Sequence, residues 1–341
     1  MNMFGWLFRR GGGDAGRARA SREDVRQALE RIVAIAPQVR LAKRYESRLA
    51  LGLGKTLGHA RELAAALPGP RDATPGRWAS DPHLRAKFAT PEDVARVIGE
   101  SHELRRWFDE HIAADHAFAL LGSTLDERRV LVAAQEVSMM RSDVARTAIG
   151  FDDKRLSFCS ETDAALRQEI VQRIVEQFAL EAMSRVAAQE ARRDALREHR
   201  ALITARMHML ERRGAGMGSL LASADISGDA ARLQRDFQEN EAALAALGSL
   251  TDAIEMQLRT MVELLAEPSA LISVTPRTLR INQMNLLLDE GSDEHHAEIA
   301  LSLAHIPTRP PQTRAVEIVR IARHDVPPAG TAFEDAARLV L

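Results

Sequence analysis

Five groups of residues have types and spacings that chemistry can use. Gly52-Leu53-Gly54-Lys55-Thr56 looks like the end of a phosphate-binding loop, in which backbone amides cradle phosphates and a lysine reaches the terminal one. Such a loop needs a glycine five residues before its Gly-Lys pair. That position is Leu49, and the flanks read as helix on both sides. His111, Asp115 and His116 form one set of metal-ligand types, and His295, His296 and Glu298 form another. Neither has a recognised ligand framework, and adjacent histidines in a polar turn are ordinarily solvated. Cys159 is the single cysteine; it would act as a nucleophile only as a thiolate, and a buried inert thiol is the default. The carboxylates of Asp152-Asp153 suit a turn better than an acid–base dyad. The sequence thus predicts no catalytic residue, no metal site, no cofactor and no enzyme.

The composition narrows the partners further. With 46 Lys and Arg against 48 Asp and Glu, the chain has no global field to draw in a polyanion, so nucleic acid is not expected. A lone cysteine fits a reducing cytoplasm. The opening residues 1–20 read as a flexible tail. Phe4 and Trp6 with Arg9 and Arg10 would make a weak peripheral contact with an inner membrane, but one short apolar signal rarely holds a protein on a bilayer.

The elements that must position any site divide the chain by period. Residues 21–112 read as an N-terminal helical region: Ser21 opens a helix, Pro37 suits the first turn of a second that runs to about Leu67, and Pro68-Gly69-Pro70 stops it. The stretch from there to Thr90 is loop-like, and Thr90-Pro91-Glu92-Asp93 starts another helix. Residues 113–160 alternate with period two. They are expected to form four short strands, with turns near Asp126 and at Asp152-Asp153.

Residues 161–267 return to the helical period without a proline, broken by the Gly- and Ser-rich stretch 214–228. In the second run Leu233, Phe237, Asn240, Leu244, Leu247, Ile254, Leu258, Met261 and Leu265 fall on one alternating four-and-three spacing with Thr251. That is a coiled-coil seam, so the region is expected to be a long antiparallel hairpin. Its polar member Asn240 would penalise registers that leave it unpaired. A second apolar face, with Leu180 and Met183 on one run and Leu250 and Met256 on the other, predicts further helix packing. The partner would be another copy, giving a dimer or tetramer, or residues 21–112 of the same chain.

Residues 268–326 alternate again, and 327–341 form a C-terminal tail. The run TLRINQMNLLLDE, then AEIALSLAHI, a Pro-rich turn and RAVEIVRIARHD resembles the PilZ domain over about sixty residues. PilZ domains are small β-barrels that bind the bacterial second messenger cyclic di-GMP. The resemblance places Arg280, Asn282 and Asn285 in the slots of the family's (D/N)xSxxG ligand motif, and none keeps the family residue. For the family's RxxxR motif, Arg141 and Arg146 ahead of the candidate strand at Arg155 are five apart rather than four, and the true spacings at Arg40/Arg44, Arg44/Arg48 and Arg193/Arg197 lie in helices, where they are commonplace. An atypical branch that lacks these motifs carries a long heptad-bearing helical pair and forms tetramers.

The expectation is therefore an α+β, mostly helical protein: a small PilZ-like β-barrel with a long inserted antiparallel coiled-coil hairpin and an N-terminal helical region. The resemblance implies a bacterial, cytoplasmic scaffold in cyclic di-GMP signalling that does not hold the dinucleotide. The competing expectation is a direct receptor that uses non-standard arginines.

Overall fold

The computed structural model describes residues 20–136, 139–214, 225–247, 253–289, 294–308 and 310–328. Phe4, Trp6, Arg9 and Arg10, the residue Leu250 and the tail past 328 lie outside the described residues. The chain divides into two compact units, one holding Gly54–Val175 and the chain from Glu267, the other Arg22–Leu53 and Glu176–Ala266. The predicted helical region 21–112 is thus split inside one helix, α2 (Tyr45–Ala66).

The first unit is built on one sheet. Its strands are β1 (Arg71–Asp72), β2 (His116–Glu136), β3 (Met139–Ser160), β4 (Ser273–Ile281), β5 (Ala297–Ile306) and β6 (Gln312–Ala322), ordered β3-β2-β6-β5-β4. Antiparallel pairing of β2 with β6 puts strands from before and after the long helices into the same sheet. The long helical segment is therefore an insertion between β3 and β4. β6 pairs with β5 only from Gln312 to Val316, and the short β1 lies parallel beside Val319 and Arg320.

Two expectations fail here. The four short strands of residues 113–160 are two long ones: β2 passes straight through Asp126, which pairs with Gly150, and β3 passes through Asp152 and Asp153. A bulge between Gly122 and Thr124 absorbs the acidic pair, with Asp153 at φ 45°. The ladders also do not close into the expected barrel. The turn after β4 links the sheet's two ends only by isolated bridges, Ile281 with Leu287 and Ala148 with Leu286.

Alternation along β2 aims Ala117, Ala119 and Leu121 at one core, completed by Leu84, Phe88, Trp107 and Phe108 from short helices. These helices are α3 (Pro82–Lys87), α4 (Pro91–Glu100) and α5 (His102–Glu110). Thr90 caps α4 as its sequence predicts, accepting a hydrogen bond from Asp93 N, with Pro91 in the first turn. α3 occupies part of what reads as loop, capped by Asp81. A second core of Ile149, Phe151, Leu279, Ile281, Ile299 and Leu301 continues along the same face of the sheet, under the β4–β5 end. Charge is buried as well. Lys87, with 1% of its side chain exposed, meets Glu317 at 2.6 Å.

The second unit holds α1 (Arg22–Ile35), a 3-10 turn (Pro37–Leu41), the start of α2, and most of α6 (Asp163–Gly214). It also holds α7 (Asp225–Ala246) and α8 (Ala253–Ala266). Pro37 starts the 3-10 turn in place of a long helix, and α2 begins only after Arg44, at φ 55°. With 52 residues, α6 spans about 80 Å. Met183 meets Gln257, Arg193 meets the Leu247 carbonyl, His199 meets Asn240 and Arg200 meets Glu241. As residue numbers rise along α6 they fall along α8 and α7, so the two limbs run antiparallel.

Part of the wide apolar surface of this unit is covered from within the chain. Arg48 pairs with Glu255 at 2.5 Å, and Arg31 with Glu176 at 2.6 Å. Gly52 lies so close to α8 that a Cβ there would come within 2.7 Å of Leu265 Cβ. The glycine of the P-loop look-alike thus has a packing role in the middle of a helix, where no phosphate cradle can form.

Candidate functional site

Arg280, Asn282 and Asn285, the three slots implied by the resemblance, come together where β4 ends. β4 is held by antiparallel pairing that sets Arg280 opposite Glu298 and Ile281 opposite Ala297. Beyond Ile281 the chain turns back on itself: Asn282 Oδ1 accepts hydrogen bonds from Met284 N and Leu286 N, both at 3.0 Å. A side chain bonded to backbone two and four residues on is how asparagine nucleates a tight turn. Asn285 sits at φ 57°, the left-handed conformation that its glycine slot anticipates. Its Nδ2 donates to the carbonyl of Ala86 on α3 at 2.9 Å, and its own carbonyl accepts from Ile149 N at 2.8 Å.

Arg280 is likewise engaged. One guanidinium nitrogen lies 3.0 Å from His296 Nε2 and another donates to the Asp289 carbonyl at 3.4 Å. Glu294 gathers Arg146 from β3 at 3.4 Å and Asn282 Nδ2 at 3.5 Å. Each of the three slot side chains therefore takes part in fixing the turn or in tying it to neighbouring chain. The sequence does not announce Glu294, His296 or Ala86 as partners; they lie outside the motif and arrive by folding.

A cavity of about 460 Å³ opens beside this turn, lined among others by Trp78, Arg85, Asn282, Met284, His295 and His296. Arg85 is exposed on α3, and among the described residues it has no ion-pair partner. A planar indole, a guanidinium and two imidazoles are groups that stack on rings and meet anions.

The other candidates resolve into structure. His111 stacks on Trp107 with ring centroids 4.4 Å apart and bonds the Trp107 carbonyl through Nδ1. His116 makes an edge contact with Phe118 at 5.3 Å. No group of three metal-ligand side chains gathers among the described residues. Burial, with the Glu103 carboxylate adding to it, pushes the Cys159 thiol up to about 12, so the thiolate is scarce at neutral pH. Asp153 meets Arg314 and Arg155, and the two guanidiniums hold its carboxyl below the usual carboxylate range.

Of the predicted seam, Asn240 and the Leu247 carbonyl meet α6, and Leu265 lies against Gly52 of α2. Asn240, Leu258, Met261 and Leu265 are buried, and Leu233, Phe237, Leu244, Leu247 and Ile254 partly so. Asn240 meets His199 at 3.4 Å, and whichever way its amide is turned the other end has no hydrogen-bond partner. On α6, outside the seam, Leu202 and Met209 are 49% and 65% exposed. Seven residues apart, they lie on one side of the helix. No helix among the described residues is long and apolar enough to cross a membrane. No family model, no curated protein and no solved structure matches the chain.

Proposed function

We propose that the chain is a non-enzymatic, PilZ-like regulatory scaffold whose inserted limbs form an antiparallel coiled coil and join copies of the chain. The observation that carries this reading is the pair Leu202 and Met209, large apolar side chains left open on α6. The 3-10 turn and α2 supply cover for α8, whereas α1 meets α6 at Glu176, far along the helix from Leu202. Exposed apolar residues in heptad register favour a second helical surface, and closed two-fold assemblies are the default for identical chains.

The slot residues support the regulatory side of the proposal. In the resemblance they would grip a dinucleotide; here Arg280, Asn282 and Asn285 hold a turn, and the scaffold relays signals by protein contacts without the ligand. Light scattering on the full chain tests this: the mass should be that of a dimer or tetramer, and Leu202→Asp with Met209→Asp should reduce it to one chain with helix content kept. A wild-type mass of one chain overturns the reading.

The cavity beside Asn282 favours one second reading, a direct cyclic di-GMP receptor that uses Arg85 in place of the family arginines. Calorimetry with the dinucleotide decides between the two. Heat that disappears in Arg85→Ala supports the receptor, and no heat at high micromolar ligand removes it.

A further inference from the structure

Near the far end of the limbs lies a groove of about 470 Å³ lined by Arg206, Met209 and Leu210 of α6 and by Asp229, Arg232, Leu233 and Asp236 of α7. Three of its lining side chains are apolar, and Met209 is the large exposed side chain already noted. Its rim carries two arginines and two aspartates. None of these four lies within ion-pair distance of an opposite charge among the described residues, although the same limbs pair Arg185 with Glu181, Arg197 with Asp194 and Arg200 with Glu241. The rim is thus neutral in sum and open in both signs.

A surface of this kind suits a copy of itself. An acidic or a basic partner would satisfy two of the four charges and repel the other two. A two-fold related copy can set its arginines against this chain's aspartates and its aspartates against this chain's arginines, with Met209, Leu210 and Leu233 of the two chains covering each other. We infer that this groove is an isologous contact between two copies, and that its four charges set which way round the copies meet. The inference rests on the self-association proposed above and names the surface that carries it. Opposed like charges would disfavour other docking orientations, so the rim acts on specificity more than on affinity.

Two charge-reversed full-length chains test it, one with Arg206→Glu and Arg232→Glu, the other with Asp229→Arg and Asp236→Arg. All four residues lie at the surface or only partly buried, so helix content by circular dichroism should match wild type. If the second chain loses helix, Asp229→Arg alone replaces it, since Asp236 is the half-buried one. Sedimentation should show each reversed chain associating at least tenfold more weakly than wild type, and an equimolar mixture regaining association as a mixed species. Wild-type chains that associate while both reversed chains associate equally well overturn the groove and leave the broader proposal standing. So does a mixture that regains nothing. Wild-type chains that stay single overturn both.

Discussion

Replacing Asn240 by Leu should make the helical unit more stable. The side chain is 4% exposed, its contact with His199 is long at 3.4 Å, and one end of its amide lacks a partner. Relieving a buried polar group without a partner is worth about 1–3 kcal/mol, and the lost hydrogen bond costs about 0.5–1.5 kcal/mol. Leu adds buried apolar surface worth about 1.5–3 kcal/mol at most, reduced by whatever crowding the longer chain meets. The net is a gain of about 2 kcal/mol, a rise in melting temperature of roughly 4–8 °C for a unit of this size. His199 is exposed and finds water in place of the amide. Thermal and urea unfolding followed by circular dichroism at fixed chain concentration measure the change. The same variant should lose uniqueness, because the polar residue no longer penalises shifted registers, and a broader mass distribution would report that. A loss of more than about 1 kcal/mol would refute the reasoning, since it would mean the amide makes a strong interaction across the limbs.

Further outcomes follow from buried charge and backbone shape. Lys87→Met leaves Glu317 buried with only Arg71 at 3.9 Å, and should cost about 3 kcal/mol in urea unfolding; adding Glu317→Leu should recover most of it. Asn285→Ala should cost about 2 kcal/mol, from the left-handed backbone and the lost bond to Ala86, while Asn285→Gly should cost clearly less by the same assay. Cys159 should react slowly with a thiol reagent at pH 8 in the folded chain and rapidly in denaturant. Its folded pKa stands above the ordinary 9.0, so the unfolded chain sheds the proton first: this contribution to stability is complete below about pH 9 and is lost as pH climbs toward 12. Cys159→Ala should remove that alkaline slope from a series of unfolding curves.

The limbs were the most legible part of the chain, because α6 and α7 contain no proline and repeat leucine and its kin at three and four. The capped start of α4 at Thr90 and Pro91 was equally plain, each residue performing the local task its chemistry suits. Strands 116–160 were misdivided for a physical reason. Asp126 and Asp152-Asp153 are turn formers in isolation, yet a partner strand and a bulge let them stay within a ladder. The run from Gln135 to Met140, where β2 ends and β3 begins, by contrast carries no glycine, proline or asparagine. Gly52 shows a related limit: the flanks and Leu49 rule out a phosphate loop, but its close approach to Leu265 comes from a residue more than two hundred positions away, which no local pattern foretells. At the turn after β4, the left-handed Asn285 could be foreseen from its slot, whereas its bond to Ala86 needed α3, a helix that reads as loop.

Sedimentation equilibrium of the unmodified chain, diluted from tens of micromolar to tens of nanomolar, bears most directly on whether the limbs exist to join copies. The account predicts two or four chains per particle with little change on dilution. Particles of one chain at every concentration would contradict it.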